Sequence, residues 1–365
     1  MIEGGRISPK QLILLVFINR IIIAITYLPV LMAPPANQDA WLSVVLMVPI
    51  ELLLSGPVYL LAKRFPDQTI IQYSQTIVGK AGKLIGILYI WLFIHFTAIT
   101  LSYFCEFFNT ASMPETPFLF FAISLIIFAA YAAHSGIEVV GRISEIVAPI
   151  FMIAIMIFAI LLVKEMDLKA LTPVMEKGLF PSLHGGLYAS TLTIEIVGIA
   201  MLLPYLNDQQ KAKGVFIYSF LLISIFFLLI TITVLSVYGA QLAKNHTFPF
   251  FSTVRQINVA DFLERLDSIN IAIWSIGMYV KIAFYYYLTA FGTAQLLNLK
   301  DYKPLVLPVG SIIVPLTVLI SPNYLEVREF TSYRIFTWYS VFFLLVIPSI
   351  LLLTAIIRKK GERQG

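Results

Sequence analysis

Ten apolar stretches occupy most of this 365-residue chain. At 1.5 Å per residue, about 20 residues of helix cross roughly 30 Å of hydrocarbon. The chain is 59% hydrophobic and 12% charged, well above the about 45–50% apolar share of a soluble domain. Lipid offers no hydrogen-bond partner, so each stretch must satisfy its backbone internally, as a helix. The expected fold is an all-α polytopic membrane protein, one membrane domain over 1–365. Spans are read at 10–35, 40–62, 83–109, 117–134, 142–164, 183–206, 213–239, 269–298, 303–321 and 332–357. The fourth and ninth are the shortest. The first run is too long for the apolar core of a signal peptide, and no small-residue cleavage site follows a basic leader, so it reads as a retained helix.

Charge sets the orientation. With the N-terminus inside, inner segments hold 15 Lys and Arg and outer segments 8, and the outer turns 36–39 and 110–116 hold none. This asymmetry places both termini on the cytoplasmic side. It also explains the formal +5 charge without nucleic acid, because the basic residues are dispersed. Three connections carry patterns of their own. Residues 64–82 read as a short amphipathic helix on the inner face or as a solvated linker. Residues 165–182 are broken by Pro173, Gly178 and Pro181. Residues 240–268, with Phe248-Pro249-Phe250-Phe251 and then Ile257 to Leu266, suggest an interfacial helix capping the protein.

Four charges stand at lipid depth: Arg20, Glu51, Glu195 and Lys281. Counted inward from the outer face at about 1.5 Å per residue, Glu51, Glu195 and Lys281 lie roughly 16–18 Å deep and Arg20 roughly 21 Å deep. Unpaired charge there is costly, so such residues face inward and mark a binding site or pathway by default. One reading is a tolerated lattice of ion pairs, Arg20 with Glu51 and Lys281 with Glu195. The other is that at least one charge meets a ligand or carries a proton. Both stay open on the residues alone.

Glu195 lies in Gly185-Gly186-Leu187-Tyr188-Ala189-Ser190-Thr191-Leu192-Thr193-Ile194-Glu195-Ile196-Val197-Gly198. This is a small, polar run for a span centre. It suits a helix that opens beside a cavity, where half-helix ends attract charge; it equally suits a close helix contact. Lys281 in a dry interior replaces a bound Na⁺ or changes protonation state, since desolvation penalises the cation. Tyr285 shares its face at i+4, although the run Tyr285-Tyr286-Tyr287 also fits an interfacial belt. His95 reads as a packing residue. His134, His184 and His246 lack metal-ligand spacing, and the lone Cys105 excludes a disulfide framework or cysteine metal cluster. No phosphate loop, nucleophile elbow or zinc motif occurs, so neither catalysis nor a cofactor is expected.

Several local runs, in order, carry a resemblance. They are Ile7-Ser8-Pro9-Lys10-Gln11, Leu28-Pro29, Gln38-Asp39-Ala40-Trp41-Leu42, Arg64-Phe65-Pro66, Met113-Pro114-Glu115-Thr116-Pro117, Gly136-Ile137-Glu138-Val139-Val140-Gly141-Arg142, and Phe262-Leu263-Glu264-Arg265-Leu266-Asp267 ahead of Trp274. With these the chain resembles, essentially end to end, the B subunit of bacterial spore germinant receptors, within the amino acid–polyamine–organocation transporter superfamily. The resemblance implies a LeuT/APC-like five-plus-five inverted repeat, here 10–164 and 183–357, with helices 1 and 6 broken around a ligand pocket. It implies a germinant sensor, usually for an amino acid, in the inner membrane of a dormant spore, working with an A subunit and a lipoprotein C subunit. Carried onto this chain, it implies a pocket walled by Ile22, Ile23, Ala24 and Thr26, by Thr191, Thr193, Glu195 and Gly198, and by Tyr103, Lys281 and Tyr285. Relatives tend to have small residues at the first break, whereas this chain has Ile21-Ile22-Ile23-Ala24. That departure shifts the expected break and favours a small, aliphatic ligand. A proton-coupled amino acid or amine transporter of the same fold is the competing expectation.

Overall fold

The lead-in to the first helix shows how local chemistry starts the fold. Ser8 Oγ accepts from the Gln11 N–H at 3.1 Å and Gln11 Oε1 accepts from the Ser8 N–H at 2.9 Å. This reciprocal cap satisfies two otherwise orphaned donors, and Pro9 follows at the first helical position. The computed structural model describes residues 4–28, 37–257, 266–320 and 324–361. Over these it is almost wholly helical.

The helices are α1 (Pro9–Tyr27), α2 (Ala40–Arg64), α3 (Ile70–Val78), α4 (Ala81–Phe107), α5 (Phe118–Ser135), α6 (Ile137–Leu161), α7 (Phe180–Thr191) and α8 (Glu195–Leu202). They continue as α9 (Ala212–Ala243), α10 (Pro249–Val254), α11 (Leu266–Leu296), α12 (Val306–Ile320), α13 (Tyr324–Phe330), α14 (Tyr333–Val341) and α15 (Ile347–Ile357). Wider π turns extend α4 over Phe108–Ser112 and join α14 to α15 over Phe342–Val346. Among the described residues nine helical spans are long and apolar enough to cross a membrane, and the pair α7–α8, bent by 40°, makes a tenth. The chain is a multi-pass integral membrane protein.

The outer helices are apolar on both sides, as lipid requires. On α5, Phe121, Ala122, Leu125 and Ala129 are buried, while Phe120, Ile127, Phe128 and Tyr131 face outward. The centre is different: α1 from Leu14 to Thr26 and all of α8 are buried. So are Val280 to Ala290 of α11. α1 packs against α6, α9 and α11, and α2 against α7 and α9. The segments flanking the two central helices are stitched together: Ile7 donates its N–H to Tyr205 O and accepts from Asn207 N–H, both at 3.0 Å.

The connection after α2 is helical, with a capping box from Thr69 and Gln72. However, α3 does not lie free on the inner surface. Its Ile70, Ile71, Tyr73, Ser74 and Ile77 are buried, and α3 packs on α4. Residues 163–165 and 168–171 form tight turns where sequence suggested irregular chain. α10 is a buried plug, not a surface helix; residues 258–265 lie outside the described residues. α6 begins at Ile137, earlier than read, because Gly136 (φ 93°) ends α5 and admits a new helix at once.

The described part of the first helix narrows where it can break. No break occurs at Ile21–Ala24; α1 runs unbroken to Tyr27 and ends at Leu28, whose φ of 43° is left-handed. Ile21, Ile22 and Ile23 are buried in a tight core, where β-branched side chains settle into their one favoured helical rotamer. Residues 29–36, including Pro29 and Pro34, lie outside the described residues.

Gly82 allows α3 and α4 to touch. A Cβ there would stand 2.3 Å from the Ser74 carbonyl oxygen, a backbone atom that cannot step aside. Gly82→Ala should therefore cost about 1–3 kcal/mol, seen as a lower melting temperature of the purified protein in detergent micelles.

Candidate functional site

The bend between α7 and α8 is written in hydroxyls. Ser190 Oγ donates back to Gly186 O at 2.7 Å and Thr191 Oγ1 to Tyr188 O at 2.8 Å. Such back-bonding competes with the helical ladder. Around it the chain tightens to three-residue turns, with Leu192 N–H on Ala189 O, Thr193 N–H on Ser190 O, Ile196 N–H on Thr193 O and Val197 N–H on Ile194 O. Helix 6 is broken at Leu192–Ile194.

Each half-helix end meets the charge that its dipole favours. Near the C-terminal end of α7, Arg20 Nη2 donates to Ala189 O. At the N-terminal end of α8, Glu195 occupies the first turn, and the preceding Thr193 donates its hydroxyl to Glu51 Oε1 at 2.5 Å. Lys281 Nζ lies 2.9 Å from Glu195 Oε1 and donates to Asn19 O at 2.5 Å. The ammonium also stands over the rings of Phe96 (5.1 Å) and Tyr285 (5.4 Å), a favourable placement for a cation. The expected Lys281–Glu195 pair is formed. Arg20 and Glu51 make no direct ion pair: Arg20 instead reaches Ala189 O and, at 3.6 Å, Met47 Sδ, with Phe227 beneath it. The carbonyl of a broken helix competes for the guanidinium. Arg20 Nε and Nη1, Glu51 Oε2, Glu195 Oε2 and Asn19 Oδ1 are buried without hydrogen-bond partners. This polar interior has more hydrogen-bonding capacity than its own side chains use.

A small cavity opens against this cluster. α1 contributes Ile22, Ile23 and Thr26, and α4 contributes Phe96, Ile99, Thr100 and Tyr103, one face at helical spacing. Leu192 comes from the break, Met278 and Lys281 from α11, and Thr331 and Phe336 close the side. The wall is mainly apolar, and among the described residues Lys281 is its one charged side chain. The space is narrow, with room for about one water as the side chains stand. One end is roofed by Trp274, whose Nε1 donates to Thr26 Oγ1 at 2.9 Å. Phe104 stacks on its ring at 5.7 Å and Phe107 lies at 4.4 Å.

Of the residues singled out from sequence, Ile22, Ile23, Thr26, Tyr103 and Lys281 line this cavity. Glu195 and Tyr285 stand behind Lys281, Thr193 faces Glu51 on the other side of the break, and Thr191 bonds within α7. Ala24 is buried in the core of α1. Gly198 serves packing, since a Cβ there would meet Phe284 Cζ at 2.6 Å. Phe96, Ile99, Thr100, Leu192, Met278, Thr331 and Phe336 were not foreseen. For α4, the 96/99/100/103 spacing below Tyr103 was the available signal. His95 packs on Trp91 and bonds Tyr339 Oη at 3.1 Å. Among the described residues no group of His, Cys, Asp and Glu is placed to hold a metal.

Comparison with known proteins fits this architecture. The spore germination protein family (Spore_permease) matches residues 6–325. The chain belongs to that family. Spore germination protein KB of Bacillus subtilis (strain 168) is 29% identical over 372 residues, covering 100% of this chain and 98% of that protein. The putative spore germination protein YfkT of the same strain is 29% identical over 289 residues, 79% of each chain. Spore germination protein XB of Bacillus anthracis is 23% identical over 250 residues, 68% of this chain and 70% of the relative. In structure, MhsT in complex with L-phenylalanine superposes with a TM-score of 0.65 at 12% identity, over 98% of this chain and 100% of that one. That likeness gives the fold, an all-helical membrane fold of the LeuT class.

For this germination-family chain, the buried pair makes a defined energetic expectation. Lys281→Met leaves Glu195 charged and alone, which should cost about 3–5 kcal/mol. Lys281→Met/Glu195→Gln, which removes both charges, should restore most of the loss in a double-mutant cycle of melting or denaturant stability in micelles.

Proposed function

We propose that this protein is the ligand-sensing membrane subunit of a spore germinant receptor and binds a small, aliphatic amino acid in the cavity beside the α7–α8 break. One observation carries this reading: a narrow, largely apolar cavity with a single ammonium on its wall, pressed against a broken helix. Apolar walls with a few placed polar groups are the usual form of a small-molecule site. Ile22, Ile23 and Leu192 keep the space small, so short aliphatic side chains fit better than large ones. The ligand's effect would pass through the break, because Leu192 borders the cavity while Thr193 and Glu195 hold the charges behind it. In this reading the halves 10–164 and 183–357 are the two repeats. The protein would sit in the spore's inner membrane among lipids, with an A subunit and a C-subunit lipoprotein as partners.

Proton-coupled transport of an amino acid or amine is the second reading. It is favoured by Glu51, a fully buried carboxylate with one hydroxyl partner and one unpartnered oxygen. A panel of radiolabelled amino acids offered to the purified protein in sealed liposomes separates the two. Saturable binding without accumulation is the expected result. Accumulation that collapses with the proton gradient would make the protein a transporter, and no saturable binding would remove the amino acid reading.

A further inference from the structure

We infer that the ligand docks with its carboxylate on Lys281 Nζ, in competition with Glu195, so that Lys281 both selects a carboxylate and releases the break. This deepens the amino acid-sensing reading above and rests on it. An ammonium has three N–H donors. Two go to Glu195 Oε1 and Asn19 O, leaving one at the cavity wall.

The other polar groups on the wall have the opposite character. Thr26 donates its hydroxyl to Ile22 O at 2.6 Å, Thr100 to Phe96 O at 2.8 Å and Thr331 to Val327 O at 2.9 Å. Thr331 Oγ1 also pairs with Tyr103 Oη, 2.5 Å away, and accepts from it when its own hydrogen goes to Val327 O. These threonine hydroxyls therefore offer lone pairs to the cavity. The ammonium, over Phe96, marks one end; Tyr103, seven residues along α4, marks the other, about 10 Å away. A donor end and an acceptor end suit a zwitterion, carboxylate toward Lys281 and ammonium toward the threonines, with its side chain against Ile99, Met278 and Phe336.

Docking on the first helix is closed off. α1 is continuous through Ile22–Thr26, so its N–H groups are taken by its own ladder. At the break, Leu192 and Thr193 N–H are likewise bonded. A carboxylate on the third N–H of Lys281 shares the ammonium charge that holds Glu195, the first residue of α8, and draws the same nitrogen away from Asn19 of α1. Ligand binding and loosening of the break thus draw on the same group.

The test measures equilibrium binding of three probes to the full-length protein in nanodiscs: L-valine, L-valinamide, which lacks the carboxylate charge, and isobutylamine, which lacks the carboxyl group. Wild type should bind L-valine on the order of tenfold or more tightly than either analogue. Glu195→Gln frees Lys281 of its competitor and should tighten L-valine several-fold while leaving isobutylamine unchanged. Lys281→Met/Glu195→Gln, charge-balanced so that it folds, should bind L-valine and L-valinamide alike and weakly. Equal binding of L-valine and L-valinamide by wild type overturns the inference, as does discrimination retained by the double variant. Both results leave amino acid sensing standing. Absence of saturable binding by any amino acid overturns the sensing reading and this one together. The comparison of L-valine with its two analogues on wild type decides the matter even if neither variant folds.

Discussion

One ammonium organises the centre of this protein. Lys281 of α11 donates to Glu195 at the start of α8 and to the Asn19 carbonyl of α1, so three helices meet at a single nitrogen. In a medium that screens poorly, charges this close interact far more strongly than in water, and removing either one strands the other. Much of the surrounding arrangement answers this constraint. Phe96 and Tyr285 present ring faces to the cation, and Gly198 lets α8 approach α11 closely. The break places Glu195 at the positive end of a short dipole.

A second cluster mirrors the first across the bend. Arg20 holds the end of α7 through Ala189 O, and Glu51 holds Thr193. The two clusters grip consecutive segments of one chain: α7, then the turn, then α8. Breaking a helix inside lipid exposes carbonyl and amide groups that must find partners. Here Arg20 of α1 takes the Ala189 carbonyl, short-range turns take the amides of Leu192 and Thr193, and Glu51 of α2 and Lys281 of α11 hold the side chains of Thr193 and Glu195. An interior of this kind is specified tightly while it is paired and responds when one pairing changes.

The spans were legible in the sequence because hydrophobicity at this length has one physical solution. The break in helix 6 was only half legible: the small, polar run around Glu195 suited an opened helix and a close helix contact equally, and the family resemblance chose the opening that the back-bonded hydroxyls of Ser190 and Thr191 accompany. The course of helix 1 was less so. Family resemblance implied a break in it, the three isoleucines left its position open, and the described residues show continuous helix through them as far as Tyr27. Pair assignment failed for Arg20 for a related reason: residue type shows that acids and bases balance, but only folding shows that a freed carbonyl competes for the guanidinium. On α4, Phe96, Ile99 and Thr100 were hidden because apolar residues on a membrane helix look alike whether they face lipid or a cavity.

The hydrogen bonds joining Ile7 to Tyr205 and Asn207 give the core an unequal mechanics. They fasten the entrance of α1 to the exit of α8, like two blades riveted at one end. Helices joined so cannot slide past one another at that end; they separate by fanning apart at the other. The other end is the bend, where α1 and α8 meet through the Lys281 ammonium and where the cavity lies. A small change of charge pairing there acts at the tip of a lever about 12 Å long, the eight residues of α8, with its pivot at the opposite face of the bundle.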